Sequence, residues 1–154
     1  ALAVGASRVY LYVREEFEAA ILGLERAIRE LEEAGLLPVP TEVFQSGGLY
    51  ISGEETALWD SMEGKRAEPR LKPPFPVERG LWGRPTLVQN VETLANLPLL
   101  LWEGPGAWRR EEPKLFSISG DVARPGLYEL PLGTPLGEAL RRAGGSPRPC
   151  RRCS

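Results

Sequence analysis

The first 45 residues follow a strand–helix–strand pattern, which constrains the fold more than any other feature of this 154-residue chain. The segment "RVYLYV" (8–13) has apolar side chains on both faces, as a strand inside a parallel sheet does. Apolar residues then recur every three or four positions and predict a helix over about 15–34, which Gly35 ends. The segment "PVPTEVFQ" (38–45) predicts a second strand. This order predicts a βαβ unit with a right-handed crossover, and therefore an α/β fold.

Glycine and proline signals organise the middle of the chain. A glycine turn at 46–48 precedes a short predicted helix over about 54–63. The proline-rich stretch 65–86 is predicted to be irregular, and a loop of this length is uncommon inside a compact domain unless it has a function or lies along the surface. A further helix is predicted over about 89–102, with Pro98 kinking or shortening it.

The C-terminal third predicts a second, smaller module. After a linker-like segment, "KLFSISGDV" and "RPGLYELPL" predict two strands and "PLGEALRRAGG" predicts a short helix. Strand, strand, helix is the opening half of a β-grasp module, which is too small to bury a core by itself. Residues 1–105 are predicted to form a partial Rossmann-like α/β domain, and residues 106–113 a linker. Residues 114–146 are predicted to form a truncated β-grasp domain, and residues 147–154 a disordered tail.

Several classes of function are disfavoured by what the chain lacks. It contains no histidine, which removes the usual general base and all imidazole metal sites. The net charge of −2, without a basic block, gives no reason to expect nucleic acid or an anionic membrane as a partner. No signal peptide is visible, and the run "LANLPLLLW" is too short to span a bilayer. We therefore expect a cytoplasmic protein that does not insert into membranes.

The stretch "ISGEETAL" (51–58) allows two interpretations. Ser52 and Glu55 have the spacing of a capping box, and Glu54 beside them would favour the positive end of a helix. Alternatively, Gly53 lets a planar ligand approach the backbone, and the two carboxylates accept hydrogen bonds from ribose or ribityl hydroxyls. Spacing alone leaves both interpretations open.

Phe75 and the start of the predicted helix at about 89 are ambiguous in the same way. Phe75 lies between prolines in "KPPFP", so its ring can stack on a nucleobase at little entropic cost or fill a hydrophobic gap. Thr86, Gln89 and Asn90 suit a helix N-terminus, where a cap and a phosphate site use the same groups.

The cysteines offer little for metal or redox chemistry. Cys150 and Cys153 form a lone C-x-x-C, whereas a tetrahedral metal or iron–sulfur site needs further ligands. The pair also lacks the strand and helix start that a thioredoxin-type motif requires. We expect no metal site and no iron–sulfur cluster.

Four segments together resemble a known family: "RVYLYVREEFEAAILGLERAIREL", "GGLYISGEETALWDSMEGKRAEPRLKPPFP", "GLWGRPTLVQNVETLANLP" and "KLFSISGDVARPGLYELPLGTPLGEAL". They are similar to successive parts of the flavoprotein subunit of respiratory complex I, which binds FMN and NADH. Related subunits occur in NAD-dependent formate dehydrogenases and hydrogenases. The resemblance runs from about residue 3 to residue 145 and implies that the second module is a soluble-ligand-binding β-grasp (SLBB) domain.

The resemblance also implies site residues. Those it assigns to cofactor binding are Gly53, Glu54, Glu55, Phe75, Gln89, Asn90 and Thr93. The first three would line the flavin and nicotinamide pocket, with Glu55 also near NADH, and Phe75 would stack on the adenine. The last three would surround the flavin ribityl phosphate. No catalytic residue and no metal ligand is assigned.

The resemblance implies an NADH:quinone or NADH:acceptor oxidoreductase activity, in which NADH passes a hydride to FMN and electrons leave through an iron–sulfur chain. The chain departs from the family at Ser52, where a cysteine is usual, and at Gln89, where an asparagine is usual. It also lacks counterparts of the upstream glycine-rich FMN loop and of the C-terminal cluster-binding bundle. We therefore expect a fragment that is inactive alone, or alternatively a non-catalytic remnant that binds a nucleotide or a partner. Expected partners are an iron–sulfur or thioredoxin-like ferredoxin subunit of a redox complex, and self-association is expected through exposed apolar surface.

Overall fold

A computed structural model describes residues 1–145, without the side chains of residues 107, 110 and 111. Its strands and helices, in chain order, are β1 (Val9–Arg14), α1 (Glu18–Glu33), β2 (Thr41–Ser46), α2 (Glu55–Met62), α3 (Val91–Ala95), α4 (Leu97–Glu111), β3 (Pro113–Ile118), β4 (Gly126–Pro131) and α5 (Leu136–Arg142). Short 3-10 turns lie at Leu2–Val4, Tyr50–Gly53 and Leu81–Gly83. The chain divides into two compact units, Ala1–Val88 and a second that begins at Gln89.

The first unit contains the predicted βαβ pattern. Strands β1 and β2 pair in parallel, from Val9 opposite Thr41 to Arg14 opposite Ser46. Helix α1 connects them and ends in a Schellman motif, in which Gly35 adopts φ +66° and the N–H of Leu36 donates to Leu31 O. The α/β fold class predicted from the sequence is therefore confirmed.

The core of the first unit lies under α2. Trp59, Met62 and Leu81 are buried there, and partly buried aromatic and aliphatic side chains of β1, β2 and neighbouring segments pack against them. In this cluster the rings of Tyr12 and Phe44 stack with centroids 5.7 Å apart. The core therefore fixes α2 on the sheet and supports the start of that helix.

The second unit contains the strand–strand–helix pattern. Strands β3 and β4 form an antiparallel hairpin in which Phe116 lies opposite Tyr128. The turn between them is tied to the end of α5, because the N–H of Arg124 donates to Ala143 O over 2.8 Å. Within the described part of the chain each sheet has only two strands, so every strand has one outer edge without a strand partner.

Two helix boundaries differ from the sequence prediction. The segment 106–113, predicted as a linker, is helical up to Glu111. Glycine and proline predicted a break there, and the chain does kink at Gly104. Pro105 then starts a new helical turn, because at the first position of a helix a proline needs no N–H hydrogen bond. The helix predicted over 89–102 is interrupted at Asn96, just before Pro98, as a proline near that position favours.

The predicted start of the first helix also shifts. Glu15 and Glu16, placed by the sequence in the first turn, precede α1, which begins at Glu18. No helix in residues 1–145 combines the length and the apolar character that crossing a membrane requires. The predicted disordered tail, with Cys150 and Cys153, lies outside the described residues.

Candidate functional site

An open cleft of about 660 Å³ lies in the first unit, between α2 and the segment that follows it. Thr56 and Trp59 of α2 and Glu63, which directly follows that helix, form part of its lining. Arg70 and Pro74 contribute from the proline-rich segment. Two of these lining residues are sequence neighbours of predicted site residues: Thr56 follows Glu55, and Pro74 precedes Phe75.

Glu54 caps α2 with one oxygen of its carboxylate. Its Oε2 atom accepts hydrogen bonds from Thr56 N (2.8 Å), Ala57 N (2.9 Å) and Thr56 Oγ1 (2.5 Å). The capping-box interpretation, with Ser52 as the N-cap, is therefore wrong. Ser52 is buried within the 3-10 turn Tyr50–Gly53, and this turn shifts the cap position to Glu54.

The second oxygen of Glu54, Oε1, has no hydrogen-bond partner among residues 1–145. Partial burial on its own would raise the pKa of Glu54. The hydrogen bonds from Thr56 and Ala57, together with the charge of Lys72, outweigh that effect and lower this pKa below the ordinary 4.5. Glu54 is therefore an oriented anion at neutral pH, with one oxygen available as an acceptor.

Glu55 forms an ion pair with Lys72 through Oε1. The hydrogen bond to this carboxylate raises the pKa of Lys72 above its ordinary value. The pair joins the first turn of α2 to the proline-rich segment, three residues before Phe75. The structure therefore brings Glu54, Glu55 and the segment of Phe75 into one part of the first unit.

Phe75 does not fill a hydrophobic gap. The residue is 52% exposed, and its ring contacts no other aromatic ring in the described part of the chain. The backbone around it is well held, because Phe75 O accepts hydrogen bonds from the N–H groups of Glu78 and Arg79, each over 2.9 Å. A fixed backbone with an exposed ring suits a stacking surface.

Arg70 ties this segment to α2. Its backbone N–H donates to Thr56 Oγ1 over 2.8 Å. Its guanidinium contacts Asp60 Oδ1, with Nη2 at 2.5 Å, and Glu63 Oε2, with Nη2 at 2.9 Å. The guanidinium carbon also lies 5.6 Å from the centroid of the Trp59 ring, a cation–π distance.

Gly53 has no structural reason to be glycine within the described chain. A Cβ atom built there meets no other atom of residues 1–145 within 4 Å, and its φ lies outside the left-handed region. A side chain at this position would therefore project into open space beside Glu54. A glycine here also allows close approach of a ligand to the backbone.

The predicted phosphate-site residues lie in the second unit. Asn90 is the N-cap of α3, and its Oδ1 accepts from Glu92 N over 2.8 Å. Gln89 and Thr93 are exposed. Thr86, considered for the same cap, instead closes a turn in the first unit, where it accepts from Leu81 N and donates to Arg84 O.

Sequence reasoning missed Thr56, Arg70 and Lys72. Thr56 has no motif that would mark it as more than an early helix residue. Arg70 finds its carboxylate partners in Asp60 of α2 and in Glu63 directly after it, ten and seven residues away, at spacings that no regular periodicity predicts. Lys72 had a signal, since a cation stands three residues before the aromatic in "RLKPPFP".

The described residues do not form a recognisable metal site. Within residues 1–145 no group of three or more cysteine, aspartate or glutamate side chains has the arrangement to hold a metal ion. The site consists of carboxylates, one exposed ring and cations held in ion pairs. Such a set suits hydrogen bonding and stacking to an organic ligand.

Two family models match the chain. The model described as the Nuo51 FMN-binding domain matches residues 1–99, and that of the SLBB domain matches residues 115–153. The second match overlaps the strand–strand–helix unit described above.

Curated relatives are similar over almost the whole chain. The F subunit of the NADH-quinone oxidoreductase of Aquifex aeolicus is 46% identical over 162 residues, which cover 94% of this chain and 38% of the relative. The corresponding F subunit of Escherichia coli is 44% identical, covering 96% and 37%. HndC, a subunit of the NADP-reducing hydrogenase of Solidesulfovibrio fructosivorans, is 41% identical, covering 93% and 32%. The chain thus spans less than two fifths of the length of these relatives.

A solved structure shows the same fold. One chain in the crystal structure of an NAD+-reducing NiFe hydrogenase in the H2-reduced state superposes with a TM-score of 0.83 at 40% identity. The match covers 94% of this chain and 26% of the hydrogenase chain.

Proposed function

The chain belongs to the family of Nuo51 FMN-binding domains, and from this membership we propose that it binds FMN and NADH as part of an NADH-oxidising flavoprotein. Its relatives are named as subunits of NADH-quinone oxidoreductase and of a hydrogenase, which supports a role inside a redox complex. The natural substrates are then a reduced nicotinamide nucleotide and an electron acceptor downstream of the flavin.

One observation supports this proposal best. Glu54 is held ionised by its own helix, while its Oε1 atom has no hydrogen-bond partner in the part of the chain that the structure describes. It also follows a glycine whose missing side chain leaves open space. A carboxylate oxygen accepts hydrogen bonds from sugar hydroxyls, and a bare backbone admits a flat ring system. Capping and ligand binding therefore use different oxygens of one residue.

The remaining site residues have separate roles in the proposal. Glu55 accepts from the nicotinamide nucleotide, and the exposed ring of Phe75 stacks on its adenine. Gln89, Asn90 and Thr93 hydrogen-bond the ribityl phosphate of the flavin.

Bound FMN would supply the hydride acceptor that no amino-acid side chain provides. The residues of this chain orient the sugar and the rings, and hydride transfer depends on that orientation. Since the chain spans two fifths or less of the length of its relatives, we propose that alone it binds FMN weakly and does not turn over NADH. Turnover then requires further polypeptide in the same cytoplasmic complex, with an iron–sulfur or ferredoxin subunit as the electron acceptor.

The test is an FMN titration of the chain and two glycine variants. Wild type should quench FMN fluorescence saturably, and Gly53→Ala should weaken binding roughly tenfold without lowering stability, because only the ligand needs that space. Gly47→Ala is the matched control, since a Cβ there also meets nothing within 4 Å among the described residues. A wild-type chain that leaves FMN fluorescence unchanged would overturn the proposal and favour the alternative, a non-catalytic remnant that binds another nucleotide or a partner.

A further inference from the structure

The hydroxyl of Thr56 stands between the candidate carboxylate and the loop that follows the helix. Thr56 Oγ1 donates to Glu54 Oε2 over 2.5 Å and accepts from Arg70 N over 2.8 Å. Thr56 is 2% exposed, so water does not compete for either bond. One buried hydroxyl thus connects Glu54 to a residue sixteen positions later.

Arg70 anchors the loop by its side chain as well as by its backbone. Asp60 and Glu63 both accept from the guanidinium, and these carboxylates are largely buried, with side chains 13% and 8% exposed. A forked guanidinium can bind two carboxylates at once, which a lysine ammonium does with less geometric control. The start of the loop is therefore fixed on α2 from two sides.

The loop then passes the candidate site. Two residues after Arg70, Lys72 pairs with Glu55, and Phe75 follows three residues later. The first turn of α2 is consequently connected to segment 70–75 twice, through Thr56 with Arg70 and through Glu55 with Lys72. Both connections arise next to the two carboxylates of the proposed site.

We propose that Thr56 and Arg70 are positioning residues, which hold the ring of Phe75 at a fixed place relative to Glu54 and Glu55. This inference rests on the proposed function for its ligand and adds two residues, whose contacts run to Glu54, Asp60 and Glu63, to those already assigned to the site. Because the loop is already held in place, binding a ligand costs less conformational entropy than it would with a flexible loop. Its loss should weaken nucleotide binding while the carboxylates and the ring remain.

Thr56→Val isolates the link. Valine has nearly the same shape, and Glu54 keeps both backbone N–H donors, so the cap of α2 survives. Only the hydroxyl is lost, and the N–H of Arg70 is left without its acceptor. Thr56→Ser retains the hydroxyl and is the rescue variant. Arg70→Lys tests whether the guanidinium must bind Asp60 and Glu63 together. Arg66→Lys is its control, because Arg66 lies on the surface, with 88% of its side chain exposed.

Two measurements test the positioning role of Thr56 and Arg70. The first is amide hydrogen exchange across residues 68–78, and the second is the dissociation constant of NADH from the chain supplemented with FMN. In Thr56→Val the Arg70 amide should exchange about tenfold faster, and NADH should bind several-fold more weakly, while Thr56→Ser stays within about twofold of wild type. Arg70→Lys should loosen the same amides, and Arg66→Lys should not.

The outcomes separate the two proposals. Unchanged exchange at Arg70 in Thr56→Val would overturn the link itself. Faster exchange with unchanged NADH affinity would overturn the positioning role. If the wild-type chain binds no NADH although the exchange pattern follows expectation, the proposed function fails and the link stands.

Discussion

Glu63 concentrates several interactions in one carboxylate, although no motif marks it. Its oxygens accept from Lys65 Nζ (2.6 Å), Trp82 N (2.8 Å) and Arg70 Nη2 (2.9 Å). Burial alone would raise its pKa, but these hydrogen bonds outweigh burial and lower the pKa of Glu63 to about 2. One side chain thereby connects α2, the proline-rich segment and the turn at Trp82.

This shift predicts a pH dependence of stability. A carboxyl with an ordinary pKa of 4.5 when unfolded and about 2 when folded binds more protons in the unfolded state between those values. The stability that ionised Glu63 contributes is therefore present above pH 4.5 and is lost as pH falls towards 2, by no more than about 3 kcal/mol. Urea unfolding of wild type and Glu63→Gln between pH 6 and about pH 2.5 measures it. The difference between the two proteins should shrink as pH falls, and a constant difference would contradict the assignment.

The two interpretations of residues 54 and 55 do not exclude each other. The sequence presented cap and ligand contact as alternatives, because a motif assigns one role to a whole side chain. The structure shows one oxygen of Glu54 used for the cap and the other without a hydrogen-bond partner in residues 1–145. The assignment of these residues to cofactor binding stays a prediction that the FMN titration tests.

Among the elements, those with a local signal were predicted best. The order β1, α1, β2 and the order β3, β4, α5 follow from apolar periodicity and turn residues, which act over a few positions. The continuation of α4 through residues 106–111 was missed because glycine and proline there indicate a break. The contacts of Arg70 could not be predicted, since pairing between a loop and a helix has no sequence period.

Helix α1 provides a matched pair of glycine substitutions with opposite expected signs. Gly23 lies exposed in the helix interior, and a Cβ there meets nothing within 4 Å among the described residues, so Gly23→Ala should stabilise by about 0.5–1 kcal/mol. Gly35 has φ +66° at the helix end, where an alanine is strained, so Gly35→Ala should destabilise by about 1 kcal/mol. Urea unfolding measures the change in the free energy of unfolding for both variants. If both variants were stabilised, or both destabilised, the described end of α1 would be contradicted.

At the scale of the molecule, the resemblance that the motifs suggested is confirmed. The family models, the curated relatives and the hydrogenase structure all agree with it. The motifs sufficed because four of them occur in the right order over almost the whole chain. The predicted domain limits stay a prediction, although the contacts divide the chain after Val88.

Exposed apolar side chains predict self-association. Leu101 and Trp102 of α4 are 80% and 85% exposed, and in the first unit Tyr50 and Leu71 are more than 90% exposed. Sedimentation velocity should show an average mass that rises with protein concentration. The double variant Leu101→Glu/Trp102→Glu should lower that mass if α4 contributes. A single monomeric species at every concentration would contradict the prediction.

The β1–β2 sheet has a consequence for how such copies can meet. Both strands run in the same direction, so the outer edge of β1 in one copy can pair with the outer edge of β2 in the next without reversing either. That contact joins two different surfaces, so it cannot close into a symmetric ring of two. An assembly built this way would be a larger ring if the rotation between neighbouring copies closes, and otherwise an open filament whose length is set by nucleation and growth.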